Sequence, residues 1–240
     1  MRIFSHFYLF FKTPPKKKQI INNIINISLL GFKNWRKKMN LNIDNYYSTR
    51  KDVFERIQNA STATKLLMSL MMACLTGIMA QIIIPLPWTP VPITAQTFAV
   101  LCSGLFLGRK YGCLSQILYV VLGVAFIPWF GGMTGGLEVL LGSTGGFLIG
   151  FIIASYFIGS ITEKYAKSRN FTRMAIVIGI ANFGLIYIPG LAGLALFLSS
   201  QGMAFGVVDL LMMGLVPFIA GDIVKILGAA SVSKVFLPKD

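Results

Sequence analysis

Two ionisable residues, Asp222 and Lys225, stand inside the apolar run Pro217-Phe-Ile-Ala-Gly-Asp-Ile-Val-Lys225. Three positions apart, they share one face of a helix. A charge at the centre of a membrane span costs at least about 2.5–3.5 kcal/mol, and such residues usually mark a ligand or ion pathway. A pair of this kind suits an anionic ligand that also donates hydrogen bonds. The same spacing also fits an internal ion pair that pins the helix. Glu138 and Asp209 fall between apolar segments, where a surface role and a ligand contact both fit.

Other chemistries are absent. The only histidine is His6, far from the apolar region, so zinc-protease and Ser/His hydrolase sites are excluded. There is no Gly-x-x-x-x-Gly-Lys-Ser/Thr run to hold ATP phosphates, so any ATP-driven step needs another subunit. No metal site, cofactor or catalytic residue is expected. The alternative of an intramembrane enzyme rests on Lys225, since a desolvated lysine can serve as base or nucleophile. No hydroxyl or second acid stands at a dyad spacing from it. Cys74, Cys102 and Cys113 lie in or beside apolar segments without metal-ligand spacing and read as packing residues.

Small and hydroxyl residues form two further patterns. Gly131, Gly132, Gly135, Gly136, Gly142, Gly145 and Gly146 concentrate backbone freedom ahead of an apolar run, and in Gly142-Ser-Thr-Gly-Gly146 the hydroxyls can cap a helix. The positive end of that helix would suit an anionic or polar ligand. Ser69, Ala73 and Gly77 make a smooth stripe of the kind that lets helices approach closely, with internal packing and a partner surface equally compatible.

Positioning these residues is a matter of bilayer spans. The 240 residues are 55% hydrophobic and 12% charged, against roughly 25% charged in soluble domains. Between Lys65 and Arg109 there are 43 residues without an acidic or basic side chain. The apolar runs predict six transmembrane helices: Lys65–Ile84, Ile93–Gly108, Gly112–Ile127, Thr144–Ile161, Met174–Phe197 and Val216–Val235. The second and third, 16 residues each, would rise about 24 Å, short of a hydrocarbon core of about 30 Å. Irregular backbone must fill the missing depth, which is tolerated only where protein covers it or it lines a cavity. Both adjoin the most irregular segments, Pro85–Pro92 and Gly131–Gly136, so a pocket near the outer face is expected.

The net charge of +14 is clustered at the ends of apolar segments, a positive-inside pattern and not a nucleic-acid face. The first, third and fifth loops (Pro85–Pro92, Pro128–Ser143, Leu198–Leu215) hold no Lys or Arg, whereas the second and fourth do, which places both termini in the cytoplasm. Residues 1–38 form a basic leader with nine Lys or Arg and no acid; a start at Met39 would leave 202 residues and a charge of +5. Residues 39–64 read as a cytoplasmic segment. Within it Val53, Phe54, Ile57 and Ala60 recur at helical spacing opposite Arg50, Lys51 and Arg56, as in an interfacial helix. Ser61 and Thr62 offer caps for the first span, and residues 65–236 form the membrane domain.

Taken in order, Val91-Pro-Ile-Thr-Ala-Gln-Thr97, Gly108-Arg-Lys-Tyr-Gly112, Gly131-Gly-Met-Thr-Gly-Gly136, Gly142-Ser-Thr-Gly-Gly-Phe-Leu-Ile-Gly-Phe151 and Pro217–Lys225 closely resemble the BioY family, the biotin-specific substrate-binding subunits of energy-coupling-factor transporters. Ser143 and Phe147 stand where that family usually has proline and tyrosine. The resemblance implies an all-α, multi-pass protein of the cell membrane that binds biotin from outside and pairs with a transmembrane coupling protein and two ATPase subunits. It also implies that the first and third loops close over the vitamin before the subunit reorients. By its motifs, biotin contacts are expected at Asp222, Lys225, Gln96, Tyr119, Gly135, Gly136, Thr144 and Gly145, with Ser69, Ala73 and Gly77 facing the coupling protein. Lys225 would neutralise the ligand carboxylate, Asp222 would accept from the ureido N–H groups, and Trp88, Tyr119 and Trp129 are candidate covers for the apolar part. A related subunit for thiamine or riboflavin is the nearest alternative.

Overall fold

The structure, a computed structural model, describes residues 30–33, 37–38, 45–125, 127–165 and 170–238. The expected leader at 1–38 and a start at Met39 fall almost wholly outside these residues. The chain divides into Met1–Thr49 and Arg50–Asp240. In the first unit the described residues are helical. The second holds every element discussed below.

Ser61 caps the first long helix, α1 (Thr62–Ala80), its hydroxyl accepting from the Thr64 N–H at 3.2 Å. A short antiparallel ribbon follows, β1 (Ile83–Ile84) pairing with β2 (Ile93–Thr94), so the proline-rich first loop is a hairpin whose ends are tied. Helix α2 (Gln96–Val124) is two limbs separated at Gly108, whose φ of 73° lies in the left-handed region that favours glycine. The limbs fold back on each other: Gly112 lies against Ser103 and Gly104, and the Tyr119 hydroxyl reaches Gln96. The second limb is capped from another helix, the Arg109 N–H donating to Glu163 Oε1 at 2.8 Å.

After the third loop come a short helix α3 (Leu137–Leu141) and α4 (Gly145–Lys164). Helix α4 packs along the first limb of α2, with the Ser103 and Ser155 hydroxyls 2.7 Å apart. The next apolar stretch is α5 (Phe171–Ile180), a widened π segment (Ala181–Ile186) and α6 (Tyr187–Ser200). Then follow α7 (Val207–Gly214), a 3-10 turn (Val216–Phe218) and α8 (Ile219–Phe236).

Among the described residues, four stretches are long and apolar enough to cross a membrane: Thr62–Ala80, Gly145–Lys164, Phe171–Ser200 and Val207–Phe236. The two α2 limbs lie where the two short spans were expected, and each is shorter than that length. Large apolar side chains face outward, among them Leu67, Met71, Ile188, Leu196 and Val224, while Ser69, Ser103, Gln116, Asn182 and Asp222 are buried. Polar side chains kept inside an otherwise apolar core, behind an apolar exterior, suit a chain surrounded by lipid. This is a multi-pass, all-α membrane fold.

Two expectations change here. The small stripe of α1 points inward: Ser69 and Ala73 are fully buried, the Ser69 hydroxyl donates to the Tyr111 carbonyl at 3.0 Å, and Gly77 lies against Trp129. Close packing onto the second limb of α2 and onto Trp129 of the third loop accounts for the burial of the stripe, so a partner could reach it only if α1 moved. Arg50, expected on the wet side of an interfacial helix, is buried instead and donates to the Lys234 carbonyl at 3.0 Å. A cation against the last carbonyls of α8 is favourably placed in the helix field.

Candidate binding site

The functional geometry begins in the π segment. In an α-helix residues five apart lie about 140° apart around the axis. Here the Tyr187 N–H bonds to the Asn182 carbonyl, an i to i+5 bond that stacks the two residues one wide turn apart. Pro189 has no N–H to offer the Leu185 carbonyl, which loosens the ladder at this point. As a result both side chains reach one carboxylate: Asn182 Nδ2 donates to Asp222 Oδ2 at 2.8 Å, and the Tyr187 hydroxyl donates to the same oxygen at 2.5 Å. Lys225 Nζ donates to the other oxygen, Oδ1, at 2.9 Å. The Asp222 side chain is 4% exposed and that of Lys225 15%, so the ion pair is screened by protein on most sides.

This cluster forms one wall of a cavity of about 340 Å³. The lining continues with Pro90–Pro92 and Thr94 of the first loop, Gln96 and Thr97 at the start of α2, and Phe130, Gly131 and Thr134 of the third loop. Gly142–Thr144, Phe147, Leu148 and Phe151 close the side nearest α4. The third loop is anchored by a residue absent from the expected site. Gln81 Nε2 donates to the carbonyls of Trp129 and Phe130 at 3.0 and 3.1 Å, and Gln81 Oε1 accepts from the Met133 N–H at 2.9 Å. The Ser143 hydroxyl donates to the Pro90 carbonyl at 3.1 Å and so joins the first and third loops, a bond proline could not make.

Of the expected contacts, Asp222, Lys225, Gln96 and Thr144 line this cavity together. Tyr119 lies behind Gln96, its hydroxyl donating to Gln96 Oε1 at 3.0 Å. Gly135, Gly136 and Gly145 stand outside the lining: Gly135 abuts the Ile127 carbonyl, the Gly136 N–H donates to the Gly123 carbonyl, and Gly145 presses on the Leu140 carbonyl. The lining aromatics are Phe130, Phe147, Phe151, Tyr187 and Phe218, whereas Trp88 is 61% exposed and Trp129 donates its indole N–H to the Tyr119 carbonyl. Glu138 is exposed, and Asp209 accepts from the Gly206 N–H at the start of α7.

Asn182 and Tyr187 are the members of the Asp222 cluster that the sequence reading missed. Asn182 carried a signal, an amide in the middle of an apolar run. Tyr187 carried none, because an aromatic in a span is ordinarily packing. Among the described residues no group of three or more His, Cys, Asp or Glu is placed to hold a metal.

The fold and this part-charged cavity define a membrane protein built around a small-molecule pocket. Comparison with known proteins gives the family. The signature of the BioY family matches residues 51–238, and the chain belongs to that family. It is 52% identical over 139 residues to the probable biotin transporter BioY of Methanothermobacter thermautotrophicus, covering 58% of this chain and 88% of that protein. It is 37% identical over 150 residues to the biotin transporter BioY of Thermotoga maritima, covering 62% and 83%. Among solved structures, the S-component for biotin from an ECF-type ABC transporter superposes with a TM-score of 0.65 at 24% identity, covering 73% of this chain and 92% of that one.

Proposed function

We propose that this chain is the biotin-binding substrate subunit of an energy-coupling-factor transporter, working with a transmembrane coupling protein and two ATPase subunits. As a BioY-family transport protein it is not an enzyme. The observation that carries the ligand assignment, together with family membership, is the cavity bounded by Asp222, Lys225, Gln96 and apolar rings. Its volume of about 340 Å³ is that of a small-molecule site.

In this reading the two limbs of α2 are separate spans, giving six in all, with both termini cytoplasmic and the cavity toward the outer face. The absence of Lys and Arg from the first, third and fifth loops supports that orientation.

The roles within the cavity follow from charge and reach. Asp222 and Lys225 touch at 2.9 Å, while the ureido and carboxylate ends of biotin are separated by the fused sulfur ring and four methylenes. One touching pair cannot serve both ends of an extended ligand. The charge of Lys225 is already matched by Asp222, so the cluster is a neutral set of donors and acceptors suited to the uncharged ureido head. The carboxylate then lies toward Thr144 and the first turn of α4, where the helix field favours negative charge. Gln96 and Thr144 supply polar contacts along the way, with Tyr119 holding Gln96 and Gly135, Gly136 and Gly145 shaping the wall.

Equilibrium binding of labelled biotin to the detergent-purified chain tests the assignment. Saturable binding displaced by unlabelled biotin, and not by thiamine or riboflavin, is expected. Displacement by either of those vitamins, or no saturable binding, overturns it.

A further inference from the structure

Asn182 Oδ1 is buried and has no hydrogen-bond partner among the described residues, although Asn182 lines the cavity and is itself fully buried. Buried amide oxygens are almost always satisfied, so an exception calls for an explanation. The other end of the same amide is fixed, since Nδ2 donates to Asp222 Oδ2 at 2.8 Å. A carboxylate paired with Lys225 can only accept from Asn182, so the amide must turn its NH2 toward Asp222. Reversing it would set two oxygens against each other. The carbonyl oxygen is therefore held as an acceptor that cannot switch to a donor. A neighbouring Asn free to flip would recognise donors and acceptors alike.

We infer that Asn182 is a specificity-determining residue that accepts a hydrogen bond from a ligand N–H, with Asp222 acting as the positioning residue that locks its amide. Resting on the biotin reading above, the donor is one ureido N–H, and Lys225 Nζ, with protons to spare after its bond to Asp222, faces the ureido carbonyl. The selectivity this gives is for a cyclic urea or similar N–H donor beside a carbonyl. Ligands presenting only acceptors at this position are rejected, because they leave Oδ1 without a donor.

The test is a cycle of one substitution and one ligand change. Wild type and Asn182→Leu are titrated with biotin and with two analogues, each having one ureido N–H replaced by methylene. Asn182→Leu is expected to weaken biotin binding roughly tenfold, and wild type to weaken by a similar factor for one analogue only. For that analogue the substitution should cost nothing further, since the bond is already gone. Should the leucine variant fold poorly, Asn182→Ala removes the same oxygen without adding bulk. Variants that bind biotin within twofold of wild type overturn the inference, as do losses that multiply across the cycle, which mark a purely structural asparagine. Equal tolerance of both analogues by wild type also overturns it, placing water at Oδ1. If wild type binds no biotin at all, the biotin reading falls first and the inference with it; every other adverse result strikes the inference alone.

Discussion

Two buried polar clusters among the described residues differ in kind: one lines the cavity and the other is absent from its lining. In the sealed cluster Gln116 Nε2 donates to the Ser115 hydroxyl at 3.0 Å and to the Thr76 hydroxyl at 3.4 Å. Those hydroxyls donate in turn to the carbonyls of Gly112 and Met72. All three side chains are fully buried and uncharged, joining α1 to the second limb of α2. In the other cluster an ion pair, an amide and a phenol converge on Asp222 beside open space. Both clusters contain an amide oxygen without a partner among the described residues, Gln116 Oε1 and Asn182 Oδ1. An unmatched oxygen thus does not by itself mark a ligand site. What separates the two is an ion pair and a volume for a ligand to occupy.

The largest expected effect comes from removing the hub of the charged cluster. Asp222→Ala leaves Lys225 without its counter-charge, along with an unpaired amide and hydroxyl. Breaking a buried pair from one side costs about 3–5 kcal/mol. The variant should therefore unfold at lower temperature in detergent and lose biotin binding. Replacing both Asp222 and Lys225 with alanine should recover part of the stability, because no lone charge remains, yet none of the binding. Recovery of binding in the double variant would show that the pair only pins α8.

How far each cluster could be read from sequence follows from the kind of residue it uses. Asp222 and Lys225 were legible because charges interrupt an apolar run, and the Gly108 break was legible because Arg109 and Lys110 follow a glycine between two short spans. Gln96 and Thr144 were reached through motifs at helix starts. Asn182 and Tyr187 were hidden because they share a face only after the helix widens, and a period of 3.6 points them apart. Gln81 was missed for a related reason: it acts on the backbone of a loop some fifty residues away, which no local spacing encodes. The inward turn of the Ser69, Ala73 and Gly77 stripe was undecidable from spacing, since small residues permit close approach by a helix of the same chain or of a partner.

A smaller effect is expected from Lys225→Ala, because Asp222 keeps its bonds from Asn182 and Tyr187. Loss of a charge-assisted hydrogen bond to the ligand head should weaken biotin by about 1.5–3 kcal/mol. If the cluster is a neutral receptor for the ureido group, the same loss should appear with the amide of biotin, which lacks the carboxylate charge. Titration of wild type and variant with both ligands decides this. A loss confined to biotin would make Lys225 the counter-ion of the carboxylate and move the head elsewhere in the cavity.

The smallest effect, and the sharpest check on the comparison, belongs to the sealed cluster. Gln116→Leu removes two donor bonds, but Ser115 and Thr76 keep theirs to the backbone, and an amide oxygen without a partner disappears with the side chain. Replacing a poorly satisfied polar group by an apolar one of similar shape is close to neutral, so stability should change by less than about 1 kcal/mol. Biotin affinity should stay within about twofold, since that is well under the worth of one hydrogen bond. The route by which it could fail is specific: Gln116 lies one helical turn before Tyr119, whose hydroxyl holds Gln96 at the cavity wall. Thermal unfolding and a biotin titration of this variant measure both quantities. A tenfold loss of affinity at unchanged stability would mean that the second limb of α2 transmits strain through Tyr119 to Gln96. The two clusters would then form one supporting network, and the distinction between sealed and open polar groups would not hold in this fold.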